Sequence, residues 1–411
     1  MKNKIKLAVV VSLIVSVFSN TALATVDNLE YNLNVTLDKF FDRLVIPGLS
    51  VAVIVENGDE VTAQRGTTLD NEELTEDHVF RLASMSKHLT TLMVMYLHEI
   101  GELNIDDKLS DYLVIDGLEN GDVMTIRQLL NHTAGVFDHI NGSPNVFSAA
   151  LGDPEREWEH EDIIKYMTDN GSYFTPGSQY SYSNGGFYIL GMLIEAITGE
   201  SLAQSFDSIF LNPLALSNIF VDDFSTANNP ITNLATNSRS YEYHLNAIGA
   251  AGNFVASPLA FARLGHEVYT NDFLTDESEM AISTQSTLNS AYGLGSRLWE
   301  AHDVYHFGHT GKLGGYRGIF MYIPEQKTSI VISASGYPAT SSTWWLLIDT
   351  ILLDAIKYNQ DPSYVNKPPE PVDDEKDDGE EEDNSSGGGS FGFALISMLA
   401  LIAITRRTLK A

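Results

Sequence analysis

The spacing of apolar residues changes character along the chain. Asn28–Leu44 carries helical periodicity. Ser50–Val55 and Glu60–Gly66 read as two strands on either side of the turn Asn57-Gly58-Asp59. From about Phe80 to Phe273 the pattern is one of helices and loops. Strand signals return at Val304–Gly311, Tyr316–Ile323 and Thr328–Ser335, with Pro324-Glu325-Gln326 joining the last two. An amphipathic helix, Ser341–Tyr358, closes the patterned region. Early and late segments thus form sheet, and the middle is helical. The economical solution is an α+β fold: one antiparallel sheet built from both ends of the chain, covered by the terminal helices, with an inserted helical lobe and a cleft between the lobes. No internal repeat is present.

Within the helical part, Arg81–Gly101 is unusual. Leu89, Leu92, Met93, Tyr96, Leu97 and Ile100 mark one helical face, and Gly101 is a natural stop. The segment opens with Ser84 and places Lys87 three residues later, on the same side of the first turn. Ser84 as an N-cap beside a solvated lysine is one explanation. A hydroxyl nucleophile beside an activating amine is the other.

Composition narrows the field. A chain of 411 residues that is 44% hydrophobic has enough apolar surface for a real core, which excludes wholesale disorder. A formal net charge of −31 makes nucleic acid an unsuitable partner, because phosphate binding needs clustered Lys and Arg. Cysteine is absent, so neither a disulfide nor a lipid-acceptor thiol is available.

Both ends have patterns of their own. Residues 1–24 have the parts of a signal peptide: Lys2, Lys4 and Lys6, an apolar run from Leu7 to Phe18, and the cleavage site Ala22-Leu23-Ala24. Residues 25–361 are the candidate catalytic domain. Residues 362–386 include KPPEPVDDEKDDGEEEDNSS, an acidic stretch that is expected to be an extended linker. Residues 387–411 run from Gly387-Gly388-Gly389-Ser390 through the apolar stretch Phe391–Ile404 to Arg406, Arg407 and Lys410. That stretch is shorter than the roughly 20 residues a spanning helix needs. The tail resembles GlyGly-CTERM sorting signals. The resemblance implies export, transient anchoring in the inner membrane, and cleavage by a rhomboid-type protease after signal peptidase has acted.

Three motifs carry chemistry: Ser84-Met85-Ser86-Lys87, Tyr182-Ser183-Asn184, and His309-Thr310-Gly311 on a late strand. Acyl transfer needs a nucleophile, a group to take its proton, and donors for the developing oxyanion. Ser84 is the candidate nucleophile. Lys87 is one candidate base, if burial lowers its pKa from about 10.4. Tyr182 is the other. Each motif alone has an ordinary structural explanation; their order and context together do not. Gly388-Gly389-Ser390-Phe391-Gly392 matches the G-x-S-x-G elbow but lies in the tail, outside any strand–turn–helix context. There is no H-E-x-x-H, and neither metal nor cofactor is called for.

In this order the motifs resemble those of the penicillin-recognising serine hydrolases, which include class C β-lactamases, D-Ala-D-Ala carboxypeptidases and related esterases and D-aminopeptidases. Leu129-Leu130-Asn131-His132-Thr133-Ala134-Gly135, Pro176-Gly177 and Asn212-Pro213-Leu214 add to the likeness, which spans Leu29 to Tyr358; Gly252-Asn253 departs from the usual Gly-Gly. The resemblance implies a β-lactamase-like fold and an acyl-enzyme on Ser84. It implies an oxyanion hole from the backbone N–H groups of Ser84 and Lys312, with Asn184 holding the substrate amide and Thr310 its carboxylate. His309 and Gly311 fall in the substrate-binding strand, and His132 reads as a turn residue. His309-Thr310-Gly311, rather than Lys-Thr-Gly, favours peptides of the D-Ala-D-Ala type or related amides and esters over a class C-like β-lactamase. A catalytically inactive surface binding module is the competing reading of a different class.

Overall fold

The computed structural model describes residues 26–153, 156–222 and 244–366. The proposed signal peptide and sorting tail, and most of the acidic linker, lie outside these residues.

The described residues open with a helix over 26–44, then form β1 (Gly48–Ile54) and β2 (Glu60–Gly66). The late segments form β6 (Arg297–Ala301), β7 (Val304–Leu313), β8 (Tyr316–Ile323) and β9 (Thr328–Ser335), followed by the helix Ser341–Gln360. These six strands make one antiparallel sheet in the order β2-β1-β9-β8-β7-β6. The expected joining of the two chain ends is the β1–β9 pair, with Gly48 opposite Ser335 and Ile54 opposite Ser329.

Alternation sorts side chains to two buried faces. Val51, Val53, Ile330, Ile332, Ile319 and Met321 pack under the terminal helices, against Leu33, Leu37, Phe40, Trp344, Leu347 and Ile351. Ala52, Ile54, Val331 and Phe320 face the helical lobe, where they join Leu89, Leu92, Phe187 and Phe261. Because both faces are covered, β1 and β9 are buried at every position.

Two elements go beyond the sequence expectation. The edge strand β6 is one. The other is a small sheet, β3-β5-β4, from Phe80–Arg81, Phe254–Ala256 and Ile219–Val221. Strands of two or three residues are too short to express a period, so alternation cannot reveal them. The Arg81–Gly101 segment also divides differently. Ala83–Met85 is a 3₁₀ turn, and the α-helix proper runs from Ser86 to Glu99.

Candidate active site

Ser84 sits in the middle of that turn, directly after β3. Ala83, the residue before it, has φ +51°, a left-handed conformation that costs a non-glycine residue of order 1–2 kcal/mol. Strand β7 passes close by: a Cβ on Gly311 would overlap the Leu82 carbonyl oxygen. Glycine at 311 is what lets the strand lie against the Ser84 turn. Ser84 makes no N-capping hydrogen bond, which removes the cap explanation. Its Oγ instead accepts from the Tyr182 hydroxyl at 2.9 Å and from Lys87 Nζ at 3.3 Å.

Lys87 is fully buried, not solvated. Nζ donates to Asn184 Oδ1 at 2.7 Å and to the Ala251 carbonyl at 2.8 Å. Burial brings its pKa down to about 7; the Asp138 carboxylate opposes that shift and the Arg297 cation adds to it. Burial pushes the Tyr182 phenol well above its usual value, partly offset by the Ser84 hydrogen bond and Arg297. The two candidate bases are therefore shifted in opposite senses near neutral pH: the amine releases its proton readily and the phenol keeps its own.

Asn184 opens the helix Asn184–Thr198, and its side chain is committed on both sides. Oδ1 takes Lys87, and Nδ2 donates to both Asp138 oxygens at 3.0 and 3.1 Å. It bridges amine and carboxylate while lining the cavity beside Ser84. Asp138 was not foreseen. It is fixed by backbone N–H groups of Ile140 and Asn141, an Asx turn within Asp138-His139-Ile140-Asn141 that gave the one local signal for it.

Two cavities meet at Ser84. The first is lined on its far side by Ile140, Phe147, Ile248 and Leu313, an apolar wall. The second, about 360 Å³, is lined by Tyr182, Thr310, Gly311, Arg297, Lys312, Arg317, Trp344 and Trp345. Its lining holds three cations and no carboxylate. Arg317 lies over the Trp344 ring at 5.2 Å and Lys312 over Tyr337 at 4.6 Å. Arg297 approaches the Tyr182 ring at 6.0 Å, and its buried Nε has no hydrogen-bond partner. Sequence reasoning missed Arg297 because it lies on the unforeseen strand β6. Pairing of β6 with β7 ends at Arg297 opposite Gly308, so His309 to Leu313 lie beyond it.

His309 lies at the wall of the second cavity. The side chain is buried, with Nε2 on the Tyr292 hydroxyl at 3.1 Å and Nδ1 on the Thr310 carbonyl at 2.6 Å. Burial, with Lys87 and Arg297 nearby, holds its pKa well below the ordinary value, so it is neutral at pH 7. Thr310 is half-buried and lines the same cavity. His132 does occupy a turn, with φ +60°. Among the described residues no group of His, Asp and Glu is placed to hold a metal ion.

Comparison with known proteins bears on family and fold. A family model described as Beta-lactamase matches residues 36–349. Penicillin-binding protein 4 of Amycolatopsis lactamdurans is 24% identical over 330 residues, covering 72% of this chain and 82% of that protein. Esterase EstB of Burkholderia gladioli is 29% identical over 198 residues, 44% of this chain and 49% of the esterase. Among solved structures, D-amino acid amidase from Ochrobactrum anthropi SV3 superposes with a TM-score of 0.70 at 20% identity, covering 81% of this chain and 99% of the amidase; at that identity the likeness speaks to fold alone.

Proposed function

Because this chain belongs to the beta-lactamase family of serine hydrolases, we propose that it forms an acyl-enzyme on Ser84 and acts on D-Ala-D-Ala-type peptides or related amides and esters. The observation that carries this reading is the placement of Lys87 Nζ. A neutral amine has two N–H bonds and one lone pair. The carbonyl oxygens of Asn184 and Ala251 can only accept, so they take both N–H bonds. When the amine is neutral its contact with Ser84 Oγ, 3.3 Å away, therefore reverses, and the lone pair accepts from the serine hydroxyl. Lys87 is thereby the general base, and Tyr182 remains a phenol that donates to Oγ.

In the first step Ser84 Oγ bonds to the substrate carbonyl carbon as its proton passes to Lys87. The backbone N–H groups of Ser84 and Lys312 receive the oxyanion. The Lys87 ammonium then gives the proton to the leaving nitrogen or oxygen, and the carbonyl–leaving-group bond breaks. Water repeats the sequence on the Ser84 ester, releasing the acid.

Lys87 accepts a proton only when neutral. The kcat/KM profile is therefore expected to rise with pH through about 7. The neighbours set where. Asp138→Asn removes a charge that favours the ammonium and should move the rise to lower pH; Arg297→Gln removes one that disfavours it and should move the rise upward. A pH–rate series on the three proteins checks this; shifts of the same sign in both variants would remove Lys87 from the base role.

The three cations of the second cavity support a substrate with a carboxylate on its leaving group. Arg297→Gln is expected to raise KM for a carboxylate-terminated peptide by about 10–100-fold, the value of one charge-assisted hydrogen bond, and to leave a neutral ester nearly unaffected. A class C-like β-lactamase is the alternative, which His309-Thr310-Gly311 disfavours. Intact-mass analysis after exposure to penicillin, a D-Ala-D-Ala peptide and a simple ester separates the substrates.

Export completes the proposal. The signal-like residues 1–24 and the tail 387–411 support passage through signal peptidase, transient anchoring in the inner membrane, and release by a rhomboid-type protease to the cell surface or medium. Glycines beside a marginal apolar run unwind readily, since each stabilises a helix by about 1 kcal/mol less than alanine. Mass spectrometry of protein from native cells is expected to find the mature C-terminus between Gly387 and Ser390. Retention of Phe391–Ala411 on most molecules would make the tail a plain anchor.

A further inference from the structure

Behind Tyr182 lies a chain of buried polar groups that the proposed reaction does not use. The backbone N–H of Ser183 meets His132 Nδ1 at 3.2 Å. His132 Nε2 meets the Tyr292 hydroxyl at 3.0 Å, and that hydroxyl meets His309 Nε2 at 3.1 Å. His309 Nδ1 meets the Thr310 carbonyl at 2.6 Å. His132, Tyr292 and His309 are all buried.

The two ends fix every proton between them. A backbone N–H only donates, so His132 Nδ1 carries no proton and Nε2 does. Nε2–H therefore donates to the Tyr292 oxygen. A carbonyl only accepts, so His309 Nδ1 carries a proton, and on the neutral ring that burial favours Nε2 is then bare. The Tyr292 hydroxyl accepts from one histidine and donates to the other. With both histidines neutral this is the single arrangement in which each contact has one donor and one acceptor, and it puts them in opposite tautomers. A proton added to His132 Nδ1 would face the Ser183 N–H, and one added to His309 Nε2 would turn the Tyr292 hydroxyl hydrogen away from its partner.

We propose that His132, Tyr292 and His309 are positioning residues that hold the Tyr182-Ser183-Asn184 segment in register with Thr310 and the oxyanion strand. One end of the chain is the amide between Tyr182 and Asn184; the other is the carbonyl next to Gly311. The His132 ring also packs on the Tyr182 ring, with centroids 4.3 Å apart. The chain thus ties the phenol and the substrate-binding edge of β7 into one unit, with His309 at the wall of the second cavity and Tyr292 and His132 behind it. Tyr292 stands in the loop before β6 and joins a helical-lobe histidine to a sheet histidine. The tautomers follow from the hydrogen bonds alone; the positioning role rests on the acyl-enzyme reading.

Two measurements test this on the full chain. In protein labelled with ¹⁵N-histidine, with signals assigned through His132→Asn and His309→Asn, His132 should be the Nε2–H tautomer and His309 the Nδ1–H tautomer at pH 7. The same tautomer at both positions, or an imidazolium at either, overturns the hydrogen-bond chain. In Tyr292→Phe the ring still fills its space but both histidines lose their shared partner. Its kcat should fall by about 10–100-fold, the order expected for misplaced reacting groups, with KM little changed. Unchanged kcat overturns the positioning role even with the tautomers as described. The tautomer reading involves no turnover, so loss of the Ser84 mechanism would be visible separately, as a wild-type protein that a serine-directed phosphonate fails to label.

Discussion

Ser84→Ala is expected to lower turnover by about 10⁶-fold, the order associated with removing a serine nucleophile from a hydrolase that acts as a unit with its base. The change leaves the backbone alone. Ser84 makes no capping hydrogen bond, so the helix Ser86–Glu99 keeps its start. What is lost is one acceptor for the Tyr182 hydroxyl and for Lys87, and Lys87 retains Asn184 and Ala251. Stability should therefore change by no more than ~1–3 kcal/mol, the cost of leaving one buried donor unmatched. Circular dichroism and thermal melts would confirm the fold, and kcat would report the chemistry. A folded variant that retains substantial turnover would mean that some other group attacks the substrate.

Lys87→Met comes next in size. General base catalysis supplies about 10²–10⁴-fold, and the variant should lose that much of kcat/KM. Methionine matches the length of the buried stem but offers no donor, so Asn184 Oδ1 and the Ala251 carbonyl each lose a partner. The more discriminating result is the pH profile. With the amine gone, the rise through about 7 should disappear, leaving a slow rate with no step there. Persistence of that step would assign it to another group and return the base role to Tyr182.

The extent to which these residues were legible in the sequence follows from how local their signals are. Strand-type runs bounded by turn residues placed β1, β2, β7, β8 and β9 within a few residues, because strands of seven or more residues are long enough to stand out. Ser84, Lys87 and Tyr182 were legible because their motifs are short and ordered. Asp138, Ala251 and Arg297 were not. Asp138 reaches Lys87 only through Asn184, forty-six residues later in the chain. Ala251 contributes a backbone carbonyl, which no side-chain pattern reveals. Arg297 lies on a five-residue edge strand. His309 was legible as a site residue, but its charge was not. Neutrality is a consequence of burial and of neighbouring cations, and both depend on how distant segments pack.

Identifying the covalent intermediate tests the central claim most directly. The full catalytic domain would be incubated with a serine-directed phosphonate and, separately, with a slowly turned-over D-Ala-D-Ala peptide analogue or penicillin, quenched in acid, and digested for mass spectrometry. The account predicts one adduct per chain, on the peptide that contains Ser84, formed faster as pH rises through 7 and absent from Ser84→Ala. Turnover of substrate with no adduct, or an adduct mapped to any other residue, would contradict it.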